Sequence, residues 1–276
     1  MSRRLIIVIV AVPEIRKGRR MRFVSLCIGL LFAAPAFASS STWHETEGGR
    51  VRLVTVGEPD ANGQLNGVLD IQLDPGWKTY WREPGDAGVP PTLELNGGTA
   101  QILYPAPEWH HDGTYDWAGY ASSVLLPVVL TVPPEHSGAL QATAFLGLCK
   151  TICIPLKADL ALDPESDPDN PSDSLTLTGA QALLPEPASA AFGVTNIQVN
   201  GEQATFSITG YSGADAELFL AGSDGFAFSR PKPVVQNGKL SFSAKVTSYL
   251  KAKPKSATIF YTLKTPTRAA SGTLPF

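Results

Sequence analysis

Two cysteines four residues apart, Cys149 and Cys153, are the residues of this chain with the most evident chemistry. A pair of thiols either closes into a disulfide, exchanges with other disulfides, or binds a soft metal. Spacing separates some of these. The interval is one residue too long for the Cys-x-x-Cys redox motif, no histidine follows the second cysteine as haem attachment needs, and no second ligand pair for zinc lies nearby. Redox exchange, a structural staple and metal binding all stay open on spacing alone.

The elements flanking the pair decide whether it can close. Along one extended strand, positions four apart are about 13 Å apart, beyond the roughly 4.4–6.8 Å Cα separation of a disulfide. The runs 142–149 and 154–160 both read as strands, so Lys150, Thr151 and Ile152 must turn the chain. Such a hairpin sets Cys149 opposite Cys153 at cross-strand distance. A ring this small removes little unfolded-state entropy, which makes chemistry a better reason for the bond than stability. Lys150, next to Cys149, is expected to favour the thiolate that carries out exchange.

Those strands belong to a larger β pattern. Between Arg50 and Asp163, short β-rich runs alternate with Gly, Pro and Asn-Gly punctuation, as in an antiparallel sandwich. Strands are expected at 51–56, 65–73, 77–81, 92–95, 100–104, 124–132, 140–148 and 154–162. The acidic, Pro- and Ser-bearing stretch 163–173 reads as a linker, followed by a short helix over 175–184 that Pro185 ends. A second β-rich block then runs to the C-terminus, with strands at 204–209, 217–221 and 258–263 and a hairpin turning at Asn237-Gly238. The expected fold is therefore all-β: an immunoglobulin-like sandwich over 39–163, a linker with a short helix over 164–190, and a smaller β-rich domain over 191–276.

The N-terminus reads as an address rather than as part of the fold. Met21 and Arg22 precede the apolar run 23–32, and small residues ending Ala36-Phe37-Ala38 follow, as in a signal peptide cleaved after Ala38. Translation is expected to start at Met21, and Cys27 leaves with the leader. Export places the remaining cysteines in an oxidising compartment, the periplasm. Removing residues 1–38 takes away seven Lys/Arg and one Glu and leaves a net charge of −9, which argues against a nucleic-acid partner. The longest later apolar run, 124–132, is too short to span a bilayer.

The stretch GWKTYWREPGDAGVPP (76–91), with Tyr104-Pro105-Ala106-Pro107, Gly119-Tyr120 and the Cys149/Cys153-Ile154-Pro155 hairpin in the same order, resembles a known family. It is similar to the N-terminal periplasmic domain of DsbD thiol:disulfide interchange proteins, particularly the ScsB-like branch, over roughly residues 43–162. The resemblance implies an immunoglobulin-like sandwich that takes electrons from a membrane-embedded thiol carrier. It would pass them to periplasmic thioredoxin-like or disulfide-isomerase proteins, with Cys149 and Cys153 as catalytic pair. By the same resemblance Cys153 meets partners and Cys149 resolves. The second β block departs from the full-length family pattern, which continues into a membrane carrier and a thioredoxin-like domain, so a separate carrier is expected to reduce this protein.

The aromatic stretch 108–117 lies between strands, and the resemblance suggests that it caps the cysteines, with Trp109, Tyr115, Trp117 and Tyr120 as cap or partner-binding residues. Glu108, Asp112 and Asp116 are candidates for proton transfer or pKa tuning, and His110-His111 invites a copper reading, which adjacency alone leaves weak. Trp77, Tyr80 and Trp81 are expected to pack rather than react. The second block offers no cysteine, no histidine and no catalytic constellation, so docking or spacing is its default role. No cofactor or metal is called for. The rival to exchange is a non-enzymatic envelope binding module with a structural disulfide, linked through the ScsB-like branch to copper tolerance.

Overall fold

Alternation of apolar and polar residues along the strands builds both halves of the molecule, because successive side chains of a strand point to opposite faces. In the computed structural model, which describes residues 38–85, 88–113, 116–133, 138–223, 225–248 and 257–276, the first half contains eleven strands. They are β1 (His44–Thr46), β2 (Gly49–Val56), β3 (Gln64–Leu73), β4 (Thr79–Tyr80), β5 (Thr92–Leu95), β6 (Thr99–Ile102), β7 (Glu108–His111), β8 (Asp116–Tyr120), β9 (Val124–Thr131), β10 (Leu140–Cys149) and β11 (Cys153–Leu162). One sheet runs β1-β2-β3-β9-β6 and the facing sheet β11-β10-β5. Leu53, Leu69, Leu126 and Leu130 from the first meet Leu140, Leu146, Leu156 and Leu160 from the second in a single core. This is the all-β, immunoglobulin-like sandwich that the strand pattern predicts.

A third, small sheet, β4-β8-β7, was not foreseen. The expected strand 77–81 shortens to Thr79–Tyr80, and Gly76, at φ +80°, lies in the turn that precedes it. The expected aromatic loop is instead a hairpin, with Trp109 paired to Ala118 and His110 to Trp117. Gly119 makes the β4–β8 approach possible: a Cβ there would fall 2.3 Å from the Thr79 carbonyl oxygen.

The stretch read as a linker is packed structure. The helix α1 spans Pro171–Ala182, starting four residues before the expected 175. Asn170 caps it, its Oδ1 accepting from the backbone N–H groups of Ser172 (2.9 Å) and Asp173 (3.2 Å), and Pro171 fills the first turn where no N–H is needed. Buried Asp173 accepts from the hydroxyls of Ser39 (2.7 Å) and Ser40 (2.8 Å), while Ala180 covers Val54 and Val68 on the outer face of the first sheet. Within the polar stretch that suggests a solvated linker, Asn170 serves as the cap and Asp173 as a buried hydrogen-bonded carboxylate.

The second half contains β12 (Glu186–Pro187), β13 (Gly193–Asn200), β14 (Gln203–Thr209), β15 (Glu217–Gly222), β16 (Phe226–Phe228), β17 (Lys232–Gln236), β18 (Lys239–Ser248), β19 (Thr258–Lys264) and β20 (Ala269–Pro275). One sheet runs β12-β20-β19-β15; the other runs β13-β14-β18-β16, with β17 also paired to β18. Phe192, Phe206, Phe242 and Leu263 fill the space between them. From residue 38 onward the two sandwiches share one contact network. The leader expected at 1–38 lies, save for Ala38, outside the described residues, as do Asp86 and Ala87 of the motif and Tyr115 of the expected cap.

Candidate functional site: a capped cysteine hairpin

The β10–β11 register sets Cys149 directly opposite Cys153, and the two form a disulfide with Cα atoms 4.0 Å apart across the turn of Lys150, Thr151 and Ile152. The hairpin expected from the spacing is therefore the one observed. On its other side Cys149 exchanges two backbone hydrogen bonds with Lys78, each 2.9 Å, which ties the hairpin to the entry of β4. The Thr79 hydroxyl adds a 3.0 Å bond to the Gly147 carbonyl.

The two sulfurs occupy different surroundings. Cys149 is 1% exposed and packs with Tyr80 and Trp117. Cys153 is exposed, beside Ile152, which is 68% exposed. The Tyr80 hydroxyl lies 3.4 Å from Cys153 Sγ. Tyr80 and Trp117 meet edge to face at 5.8 Å, an arrangement that the glycine at 119, opposite Tyr80 in the register, leaves room for. A cleft of about 450 Å³ opens between the hairpin and the small sheet, lined by Lys78, Tyr80, Asp112, Trp117 and both cysteines.

Charge around the cleft is organised by Lys78. Its ammonium sits 4.1 Å from the centre of the Trp117 ring and pairs with Asp112. That hydrogen bond holds the Asp112 carboxyl below the usual carboxylate range. His110 also stacks on Trp117, at 4.1 Å and 16°. Burial pushes its pKa down, with Lys78 adding to the effect and Glu108 and other nearby acids opposing it. His111 turns the other way, to Asp116 at 3.1 Å, so the adjacent histidines do not converge. Among the described residues no three His, Cys, Asp or Glu side chains are grouped to hold a metal.

Of the expected cap residues, only Trp117 reaches the cysteines in the described structure. Trp109 points to the opposite face of the hairpin, where its Nε1–H donates to the Leu218 carbonyl at 3.4 Å. Tyr120 is buried in the sandwich core with its hydroxyl donating to Pro105 O at 2.9 Å. The reason is strand alternation: 109, 118 and 120 share one face, and 110, 117 and 119 the other. Tyr80 and Lys78, expected only to pack or not singled out, instead line the cleft. The sequence carried one signal for Tyr80, its alternation with Trp77 and Trp81 in a run too aromatic for a plain strand.

A family model described as "Thiol:disulfide interchange protein DsbD, N-terminal" matches residues 51–164, the segment that contains the cleft, the cap and both cysteines. Residues 51–164 are similar to the DsbD N-terminal domain family. The DsbD family is one of thiol:disulfide interchange proteins, and the paired cysteines give this domain the chemistry of a thiol–disulfide exchange module. The crystal structure of the N-terminal periplasmic domain of ScsB from Proteus mirabilis covers 87% of this chain and 98% of its own, at 22% identity and a TM-score of 0.70. It shares the fold of both sandwiches. A conserved domain protein from Bacillus anthracis covers 87% of this chain and 89% of its own, but at 8% identity and a TM-score of 0.22 it carries no weight. No curated protein matches the chain. Among the described residues no helix is long and apolar enough to cross a membrane.

Proposed function

We propose that this DsbD-type domain acts in the periplasm, relaying reducing equivalents from a membrane-embedded dithiol carrier to periplasmic thioredoxin-like or disulfide-isomerase proteins. The observation that carries the reading is the asymmetry of the pair: Cys153 is an exposed residue whose sulfur meets a tyrosine hydroxyl, and Cys149 is buried against Trp117. A structural staple has no need of that difference. The periplasmic setting is supported by the leader-like N-terminus and by the periplasmic domain with the same fold.

In this reading a carrier thiolate attacks Cys153 Sγ, the Cys149–Cys153 bond breaks, and Cys149 leaves as a thiolate that takes up a proton. The carrier's second thiolate then attacks its own sulfur in the mixed disulfide, releasing reduced Cys153 and the carrier disulfide. In the second half Cys153 attacks an acceptor disulfide and expels one acceptor thiolate. Cys149 resolves the mixed disulfide by attacking Cys153 Sγ, which re-forms the pair and frees the second acceptor thiol. Two electrons and two protons pass from carrier to acceptor. The Tyr80 hydroxyl is placed to donate to the Cys153 thiolate, and burial of Cys149 keeps the resolving sulfur from meeting partners first.

The reduction potential of the pair tests this directly, by equilibration with dithiothreitol or glutathione and thiol alkylation. A value between about −180 and −270 mV is expected, and the Cys149→Ser variant should then accumulate mixed disulfides through Cys153. A potential below about −300 mV would mark a structural staple and return the domain to the binding-module reading.

A further inference from the structure

The cap over the cysteines is a two-stranded hairpin, and such a hairpin is marginally stable on its own. It pairs with β4 of the first sandwich over two residue pairs, Thr79 to Tyr120 and Tyr80 to Gly119, followed by one backbone hydrogen bond from the Trp81 N–H to the Ala118 carbonyl at 3.0 Å. Its inner face carries His110 and Trp117, of which Trp117 lines the cysteine cleft. Its outer face carries Trp109, and that face is held by the second sandwich.

The contacts reach both strands of the hairpin. On β7, the Trp109 ring stacks on Phe219 of β15 at 5.2 Å and 11°, and its indole N–H donates to Leu218 O. Phe219 is fully buried and also meets Trp81 of the first core edge to face at 6.0 Å, so it anchors the stack in the protein interior. The Arg230 guanidinium lies 5.2 Å from the Trp109 ring centre and reaches β8 through Asp116 at 3.3 Å. Lys264 of β19 donates to the Pro107 carbonyl at 3.3 Å and lies 3.9 Å from the Glu108 carboxylate. An aromatic stack, a cation over the same ring and two ion pairs thus converge on one small sheet from a domain that has no cysteine of its own.

We propose that the second sandwich is a brace for the cap: Trp109, Phe219, Arg230 and Lys264 are positioning residues that press Trp117 over Cys149. Loosening them opens the cysteine cleft. This assigns the second sandwich a part in the chemistry of the first without contact to the reacting sulfurs. The consequence for partners rests on the exchange reading. The brace itself does not, since it governs how Cys149 is enclosed whatever reagent attacks the disulfide.

The test uses the full chain in its oxidised form. The rate of disulfide reduction by a small phosphine is compared in the parent, Arg230→Gln/Lys264→Gln and Trp109→Ala, together with amide hydrogen exchange over residues 116–120. Arg268→Gln is the control: it breaks an ion pair to Glu186 in the same sandwich, where neither partner contacts the hairpin. The double variant should be reduced about fivefold faster and Trp109→Ala about tenfold faster, each with faster exchange in β8, while the control keeps the parent rate. Parent-like rates and exchange in both cap variants overturn the brace. Acceleration of the control by as much as the cap variants overturns it too, because the effect would then be general loosening. A reduction potential in the range of structural disulfides defeats the exchange reading and leaves these rates measurable, so the two failures are distinguishable.

Discussion

Two tight hairpins of this molecule reverse the chain by different means. The β17–β18 hairpin closes on Asn237 and Gly238 at φ 51° and 71°, the two positive-φ residues of a type I′ turn, so its geometry is written in two adjacent residues. The β10–β11 hairpin has no such pair: Lys150, Thr151 and Ile152 all keep negative φ. It is held instead by the bond between its cysteines and by the Lys78 backbone, and it is roofed by Trp117. A turn specified locally needs nothing above it and stands exposed. A turn specified by tertiary contacts can be loosened by moving those contacts, which suits a pair with one cysteine enclosed and the other exposed.

The sharpest way to break this contrast is to remove the roof. Trp117 is 4% exposed, and Trp117→Ala is expected to lower stability by about 3 kcal/mol in denaturant unfolding and to speed phosphine reduction of the disulfide. Unchanged reduction kinetics in that variant would mean that the hairpin is not shielded from above. A smaller effect is expected at the locally specified turn. At Gly238 an added Cβ meets nothing within 4 Å, so Gly238→Ala carries only the backbone penalty of a positive φ, about 1 kcal/mol, with the reduction rate of the cysteines unchanged. A loss well above that, or altered thiol kinetics, would show the two hairpins to be coupled.

The smallest effect concerns pH. His110 is stacked on Trp117 and its pKa is lowered chiefly by burial. The unfolded chain therefore binds a proton first as pH falls below about 6.5, and the contribution of neutral His110 to stability is lost progressively from there down through the lowered folded value. The thermal midpoint of the parent should fall more steeply between pH 7 and pH 5 (about one unit either side of the free imidazole value) than that of His110→Gln. Parallel curves would remove His110 from the cap's stability.

How much was legible in advance differs between these regions for the same reason. The Asn-Gly turn, the alternating core strands and the opposition of Cys149 to Cys153 all follow from short-range rules: positive φ, a period of two, and the reach of a disulfide. The start of α1 was also written locally, in Asn170 before Pro171, but the acidic residues around it pointed to a linker because composition does not say that Asp173 will be buried against Ser39 and Ser40.

The amino-acid sequence by itself determined an all-β chain, its cysteine hairpin and the family that its first sandwich resembles, since each depends on neighbours within a few residues or on a contiguous motif. Tertiary structure alone decided that the aromatic stretch 108–120 forms a hairpin, and that Trp117 covers the cysteines while Trp109 turns away to Phe219. It also decided that Tyr80 meets Cys153. Residues 80, 117, 153 and 219 are far apart in the chain. Which of them touch is fixed by how three sheets and a second sandwich pack, and no local rule reaches that far.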